Sequence, residues 1–166
     1  MRLCSWCVLI VGLCGWLCGC LRHEPRADLV IINGAEPESL DPAIITGQPD
    51  LRVVGTLFEG LTRYDPKTGG PEPGLAERWE ISDDRRVYTF HLRPNAVWST
   101  GEPITAEDVA YSWLRVLNPE TAAEYAGQLY FLKNAEAYNT GMIMDPSLVG
   151  VRVLEPRTLR VELHSP

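Results

Sequence analysis

The sequence predicts a mixed α/β chain in which short strands and amphipathic helices share one core. Runs of strand character occur at 29–32, at 87–92 and twice within 149–163. Between them, apolar residues recur at three- and four-residue spacing from Leu51 to Leu61 and from Val109 to Val116, the period of helices with one buried stripe. Turns rich in proline and glycine separate these segments, and no internal repeat is found.

Residues 29–32, Leu-Val-Ile-Ile, form an unbroken apolar run suited to a strand buried on both faces, ended by Asn33-Gly34. Residues 36–49 carry three prolines and no helical period, so an ordered loop is expected there, of a length that often carries function. Asp50 then stands as the N-cap of a helix whose apolar face is Leu51, Val54, Leu57, Phe58 and Leu61. Residues 65–74 are turn chemistry expected to cover a surface corner. Their three glycines do not make a phosphate loop, because no Gly-Lys-Ser/Thr follows and the prolines remove backbone donors.

Trp79-Glu80-Ile81 and 87–92 flank a polar turn at 82–86, which predicts a hairpin. Its second arm alternates Val87, Thr89 and His91 against Tyr88, Phe90 and Leu92, the apolar set facing the core. Thr105 opens a helix with Asp108 at the N3 position of a capping box; Val109, Trp113 and Val116 mark its buried stripe, and Asn118-Pro119 stops it. Residues 121–138 read as helical with an interruption at Gly127. Residues 149–163 read as a closing hairpin around Glu155-Pro156-Arg157.

Composition narrows the functional classes. With 166 residues, 45% of them hydrophobic and 22% charged, the chain fits one compact domain, neither a disordered tail nor a large multidomain enzyme. Its 22 acids against 15 bases leave a charge of -7, which argues against nucleic acid as a partner. Catalysis needs convergent groups, yet there is no G-x-S-x-G elbow and no H-E-x-x-H pair. His23, His91 and His164 show no ligand-like spacing, while Asp83-Asp84 and Glu107-Asp108 are explained by turn and cap roles. No catalytic residue, metal site or cofactor is assigned, and the chain is not expected to be an enzyme. Trp79, Trp98 and Trp113 lie in apolar patterned segments and are expected in the core rather than in an aromatic ligand wall.

All five cysteines, Cys4, Cys7, Cys14, Cys18 and Cys20, fall within the first twenty residues, so no disulfide framework exists beyond them. Arg2 precedes nineteen uncharged, mostly apolar residues that end at Arg22, the layout of an export leader. A membrane-spanning helix is the competing reading, since such a run can cross ~30 Å of hydrocarbon. The ending Leu17-Cys18-Gly19-Cys20 favours the leader: it resembles a bacterial lipobox, in which the final cysteine is lipidated and becomes the new N-terminus. Residues 1–19 are then a lipoprotein signal peptide, Cys20 the lipid attachment point and 20–28 a lipidated linker, leaving an acidic body on a membrane tether.

The order of motifs carries a further resemblance. Ser39-Leu40-Asp41-Pro42, LFEGL at 57–61, PGLAERWE at 73–80, YTFHLRPNAVWSTGEPITAEDVAYSW at 88–113, NPETAAEYA at 118–126 and GVRVLEPRTLRVELHSP at 150–166 follow one another in sequence. Together they resemble the N-terminal part of the extracytoplasmic solute-binding proteins of family 5, the oligopeptide, dipeptide and nickel group serving ABC importers. The resemblance implies a periplasmic-binding-protein type II-like fold, two α/β lobes that close on ligand, with an extra domain inserted in the first. On that map residues 29–58 begin lobe one and 59–166 are the inserted domain, with the second lobe absent.

The same resemblance implies a peptide ligand, the permease subunits of an ABC importer as partners, a monomer, and a periplasmic or extracytoplasmic place on the membrane through Cys20. Thr46, Gly47 and Gln48 align with the family's ligand-contacting loop, and Tyr125 with its pocket tyrosine. A local role stands beside each as the alternative: Gly47 serving only its turn, and the Tyr125 ring serving only packing. The competing functions are a truncated remnant that transports nothing, and a homologue taking dipeptides, nickel complexes or sugars.

Overall fold

The computed structural model of the protein describes residues 27–166. They belong to two compact units, Met1–Ile32 and Asn33–Pro166. The leader at 1–19, Cys20 and the linker as far as residue 26 lie outside the described residues. In the first unit, residues 27–32 form no regular element, and Leu29, Val30, Ile31 and Ile32 are between 70% and 89% exposed. This corrects the expectation of a doubly buried strand. A strand has no internal ladder, and no described strand pairs with this run.

In the second unit the first helix is α1, Gln48–Leu57. Its N-cap is Gly47, not Asp50. Asp50 sits at N3, where its carboxylate accepts hydrogen bonds from the Gly47 N–H at 3.1 Å and the Glu38 N–H at 2.8 Å. The cap is therefore reached backwards from inside the helix, and it leaves Asp50 only 4% exposed. Of the expected apolar face, only Val54 is buried; Leu51, Leu57 and Phe58 remain exposed, and Leu61 lies beyond the helix.

Two strands follow that the sequence pattern does not mark, the second inside the 65–74 segment expected to be turn chemistry: β1, Thr62–Tyr64, and β2, Pro71–Pro73, pair antiparallel. The Asp65 carboxylate shapes their connection by accepting from the Lys67 N–H at 2.8 Å and the Thr68 hydroxyl at 2.6 Å. Two prolines are tolerated in β2 because a two-stranded ribbon has edges that need no donor.

The main sheet contains β3, Ala76–Ile81; β4, Val87–Leu92; β5, Val151–Glu155; and β6, Thr158–Glu162. Their order is β3-β4-β6-β5, antiparallel throughout. Register gives the sheet two different faces. The rows Trp79-Phe90-Leu159-Val153 and Ile81-Tyr88-Val161-Val151 make the apolar face, and Glu80-Thr89-Arg160-Arg152 a polar one. The expected hairpins at 79–92 and 149–163 are both present, with Tyr88, Phe90 and Leu92 turned to the core.

Helix α2, Ala106–Leu117, covers the apolar face. The capping box expected at its start is formed: the Asp108 N–H donates to Thr105 Oγ1 at 3.3 Å, and the Thr105 N–H donates to Asp108 Oδ2 at 2.7 Å. At its other end the Leu117 carbonyl accepts from Asn139 Nδ2 at 2.9 Å. Residues 121–138 are not one interrupted helix. They form 3-10 turns at Pro119–Thr121 and Ala126–Leu129 and a short helix, α3, Ala135–Asn139. The inward residues Ala126, Leu129, Leu132, Ala135 and Tyr138 recur every third position, which is the 3-10 period rather than the α-helical one.

Leu117, Leu132, Leu159, Val149 and Val161 are fully buried, and each contributes about 1.5–3 kcal/mol of apolar burial. Two junctions tie the layers. At the tip of the β5–β6 hairpin, the carbonyls of Pro156 and Arg157 accept from the N–H groups of Ala106 and Leu92, both at 2.8 Å. At Gly150, three segments meet: Lys133 N–H to Glu162 O at 2.9 Å, Gly150 N–H to Lys133 O at 2.8 Å, and Glu162 N–H to Gly150 O at 2.7 Å.

Candidate ligand-binding site

The Leu40-Asp41-Pro42 segment is a turn whose geometry is set by its aspartate. Asp41 Oδ1 accepts from the Ala43 N–H at 3.0 Å, and the Asp41 carbonyl accepts from the Ile44 N–H at 3.1 Å. The free side of the carboxylate meets the guanidinium of Arg115, from α2, in a two-pronged pair of 2.7 and 2.6 Å. The Arg115 hydrogen bonds, assisted by the Ala43 N–H, hold the Asp41 carboxyl at about 2, against an ordinary value of 3.8. The same pair raises the pKa of Arg115. A planar fork on a carboxylate fixes direction as well as distance, so the turn is oriented against the helix.

Two clefts flank this pair, and both are lined by Arg115 and Tyr111. One, of about 530 Å³, lies among the turn, the Phe58-Glu59-Gly60-Leu61 segment, Trp98 and the Trp113 side of α2. Glu59 is held there by Arg93 at 2.5 Å, and Arg93 also donates to the Gly74 carbonyl at 3.2 Å. The other, of about 630 Å³, includes Ile44, Leu114, Asn118 and Tyr138. The smaller is mostly apolar and aromatic and its charged side chains are paired or hydrogen-bonded, whereas the larger mixes apolar groups with Asn118, Glu120 and Thr121. They can sequester an apolar group, and they carry no arrangement for bond making.

The residues singled out from sequence do not gather in either cleft. Thr46 and Gly47 are half-buried just before α1, and Gln48 is exposed at its first turn. A Cβ on Gly47 would come within 2.9 Å of Asp50 Oδ2, so the helix cap accounts for glycine at this position. Tyr125 precedes the 126–129 turn with its side chain about half exposed, and its carbonyl accepts from the Gln128 N–H at 3.0 Å. Of the tryptophans expected in the core, Trp79 is half-buried against Phe90 at 6.4 Å, whereas Trp98 is exposed on the wall of the smaller cleft. Arg115 and Trp98 were not singled out as site residues, since nothing in local spacing joins Arg115 to a partner 74 positions away.

Among the described residues no cluster of histidine, cysteine and acidic groups could hold a metal ion, and no helix is long and apolar enough to cross a membrane.

Comparison with known proteins supplies the class. Residues 70–166 match the family model of bacterial extracellular solute-binding proteins, family 5. The chain is 45% identical over 143 residues to the periplasmic oligopeptide-binding protein OppA of Salmonella typhimurium, covering 85% of this chain and 26% of that protein. It is 37% identical over 172 residues to the dipeptide-binding protein DppE of Bacillus subtilis, covering 95% and 31%. Among solved structures, Haemophilus influenzae OppA in complex with the peptide RPPGFSPFR superposes with a TM-score of 0.75 at 40% identity, over 81% of this chain and 26% of that one. The chain thus spans about a quarter of the length of the oligopeptide-binding relatives, and its mixed α/β fold matches that portion of them. With the family model covering more than half of its residues, the chain belongs to the bacterial extracellular solute-binding proteins, family 5.

Proposed function

We propose that this chain serves peptide capture outside the cytoplasmic membrane, as part of the substrate-binding lipoprotein of an ABC importer. The observation that carries the reading is its likeness to the Haemophilus influenzae protein solved with RPPGFSPFR. In this proposal residues 29–58 begin lobe one of a type II-like binding fold and 59–166 form the inserted domain. Thr46, Gly47, Gln48 and Tyr125 supply the contacts this part of the protein makes to the peptide. The exposure of Gln48 and Tyr125 supports that assignment, since neither side chain is used up in packing. Cys20 carries the lipid, and the importer's permease subunits receive the cargo. The likeness to DppE over most of the chain favours a dipeptide as the second reading of the ligand.

Calorimetric titration of the folded chain, its fold verified by circular dichroism, tests the reading with RPPGFSPFR in one series and mixed dipeptides in another. The expected result is saturable heat that weakens in a Tyr125→Ala variant. A folded chain that releases no saturable heat with either ligand overturns it.

A further inference from the structure

The polar face of the main sheet holds a group of cations that the peptide reading does not use. Arg152 of β5 and Arg160 of β6 are directly opposite each other in the strand register, where like charges repel. Lys133 approaches the same place from the Gly150 junction, and these three cations, with Glu162 and Gly150, line a cleft of about 100 Å³. Arg152 is oriented by donating from Nη1 to the carbonyls of Val149 and Val151, each at 2.8 Å. Lys133 Nζ lies 2.7 Å from Glu162 Oε1. The Arg160 side chain has no hydrogen bond or ion pair among the described residues.

The charge balance identifies what is missing. Glu162 pairs with Lys133, and the Asp145 carboxylate interacts with Arg152 at longer range, which leaves Arg160 as the cation of the cleft without a side-chain partner among the described residues, in a chain whose overall charge is -7. Lys133, and at longer range Arg160 and Arg152, hold the Glu162 carboxyl below its ordinary range, so it remains charged at neutral pH. An anion seated in the cleft would relieve the repulsion between Arg152 and Arg160. Guanidinium groups also present paired donors that match the oxygens of a phosphate.

We propose that Lys133, Arg152 and Arg160 form a binding site for a phosphate group, either free or as the phosphomonoester of a lipid headgroup. The cleft is too small for a peptide, and none of Thr46, Gly47, Gln48 and Tyr125 lines it, so the proposal does not depend on the peptide reading.

The test is calorimetry on the full chain at constant ionic strength, with inorganic phosphate, acetate, and short-chain phosphatidic acid against short-chain phosphatidylcholine. Saturable binding of phosphate, about tenfold weaker for acetate and about tenfold weaker again for phosphate in Arg160→Gln, is expected. Arg160 is exposed, so its replacement leaves the core intact, and a far-UV spectrum matching the parent verifies this. Equal affinity for inorganic phosphate and phosphatidic acid supports a free-phosphate site; tighter binding of phosphatidic acid, with phosphatidylcholine inert, supports a headgroup site. Absence of saturable binding of either phosphate ligand overturns the proposal, and so does binding that Arg160→Gln leaves unchanged.

Discussion

Replacing Gly150 by alanine sets two physical effects of opposite sign against each other. The glycine does not occupy the left-handed region, so alanine can adopt its backbone conformation. On that ground alone the change would stabilise the protein by about 0.4–1 kcal/mol, because alanine narrows the unfolded ensemble. The surroundings reverse the sign. A Cβ at 150 would collide with the Glu162 carbonyl oxygen and reach 3.0 Å from the Lys133 Cβ. Relieving that collision separates Gly150 from Glu162 and disturbs the Lys133 N–H bond to the same carbonyl. Two backbone bonds at ~1–3 kcal/mol each for groups left unpaired, less the gain from the unfolded state, leave a net loss of about 1–5 kcal/mol. For a chain of this size, at roughly 3 °C per kcal/mol, that lowers the melting temperature by about 3–15 °C. Thermal unfolding followed by circular dichroism reads it, with Gly55→Ala as the control. Gly55 lies inside α1 with nothing near its would-be Cβ, so alanine there raises stability by about 0.5–1 kcal/mol. A Gly150→Ala protein that melts at or above the parent temperature would refute the close-approach argument.

Two further outcomes are expected. Because the Asp41 carboxyl is depressed from 3.8 to about 2, the stability it contributes is complete above about pH 4 and is lost as pH falls towards 2. Its half-exposed setting reduces that contribution to about 1 kcal/mol. Arg115→Met should remove most of it and return the Asp41 titration, followed by carboxyl NMR, towards 3.8; an unshifted titration would show that the turn, not the arginine, sets the value. Thr105→Ala should cost about 1 kcal/mol in chemical denaturation by removing half of the α2 capping box, and an unchanged midpoint would mean that the Asp108 half suffices.

Much of the architecture is legible in the sequence where a residue's partner is near and its pattern has a single period. The alternation of Tyr88, Phe90 and Leu92 identifies β4, and Thr105 with Asp108 identifies the start of α2. Other segments misled for physical reasons. The apolar residues from Ala126 to Tyr138 step by threes, and a three-residue step is shared by one face of an α-helix and by successive 3-10 turns. Prolines at 71 and 73 hid a ribbon whose unpaired edges accommodate them. The run at 29–32 has strand composition, but composition supplies no neighbouring ladder. Asp50 looked like a cap from its position and is one by reaching backwards. At the candidate site, Thr46, Gly47, Gln48 and Tyr125 came from family resemblance alone. The Asp41–Arg115 pair was out of reach because a sequence does not announce a contact between residues 74 apart.

The strand order carries a consequence for how the protein is made. β6 lies between β4 and β5, yet it is the last of these four strands to leave the ribosome. Until it arrives, the β3–β4 hairpin has an open inner edge, and the start of α2 lacks the Pro156 carbonyl that receives the Ala106 N–H. The order of synthesis and the order of packing therefore run against each other. The early segments can form local turns and a helix cap, but the sheet becomes a sheet only when its final hairpin inserts, so the unit gains its stability in one late step.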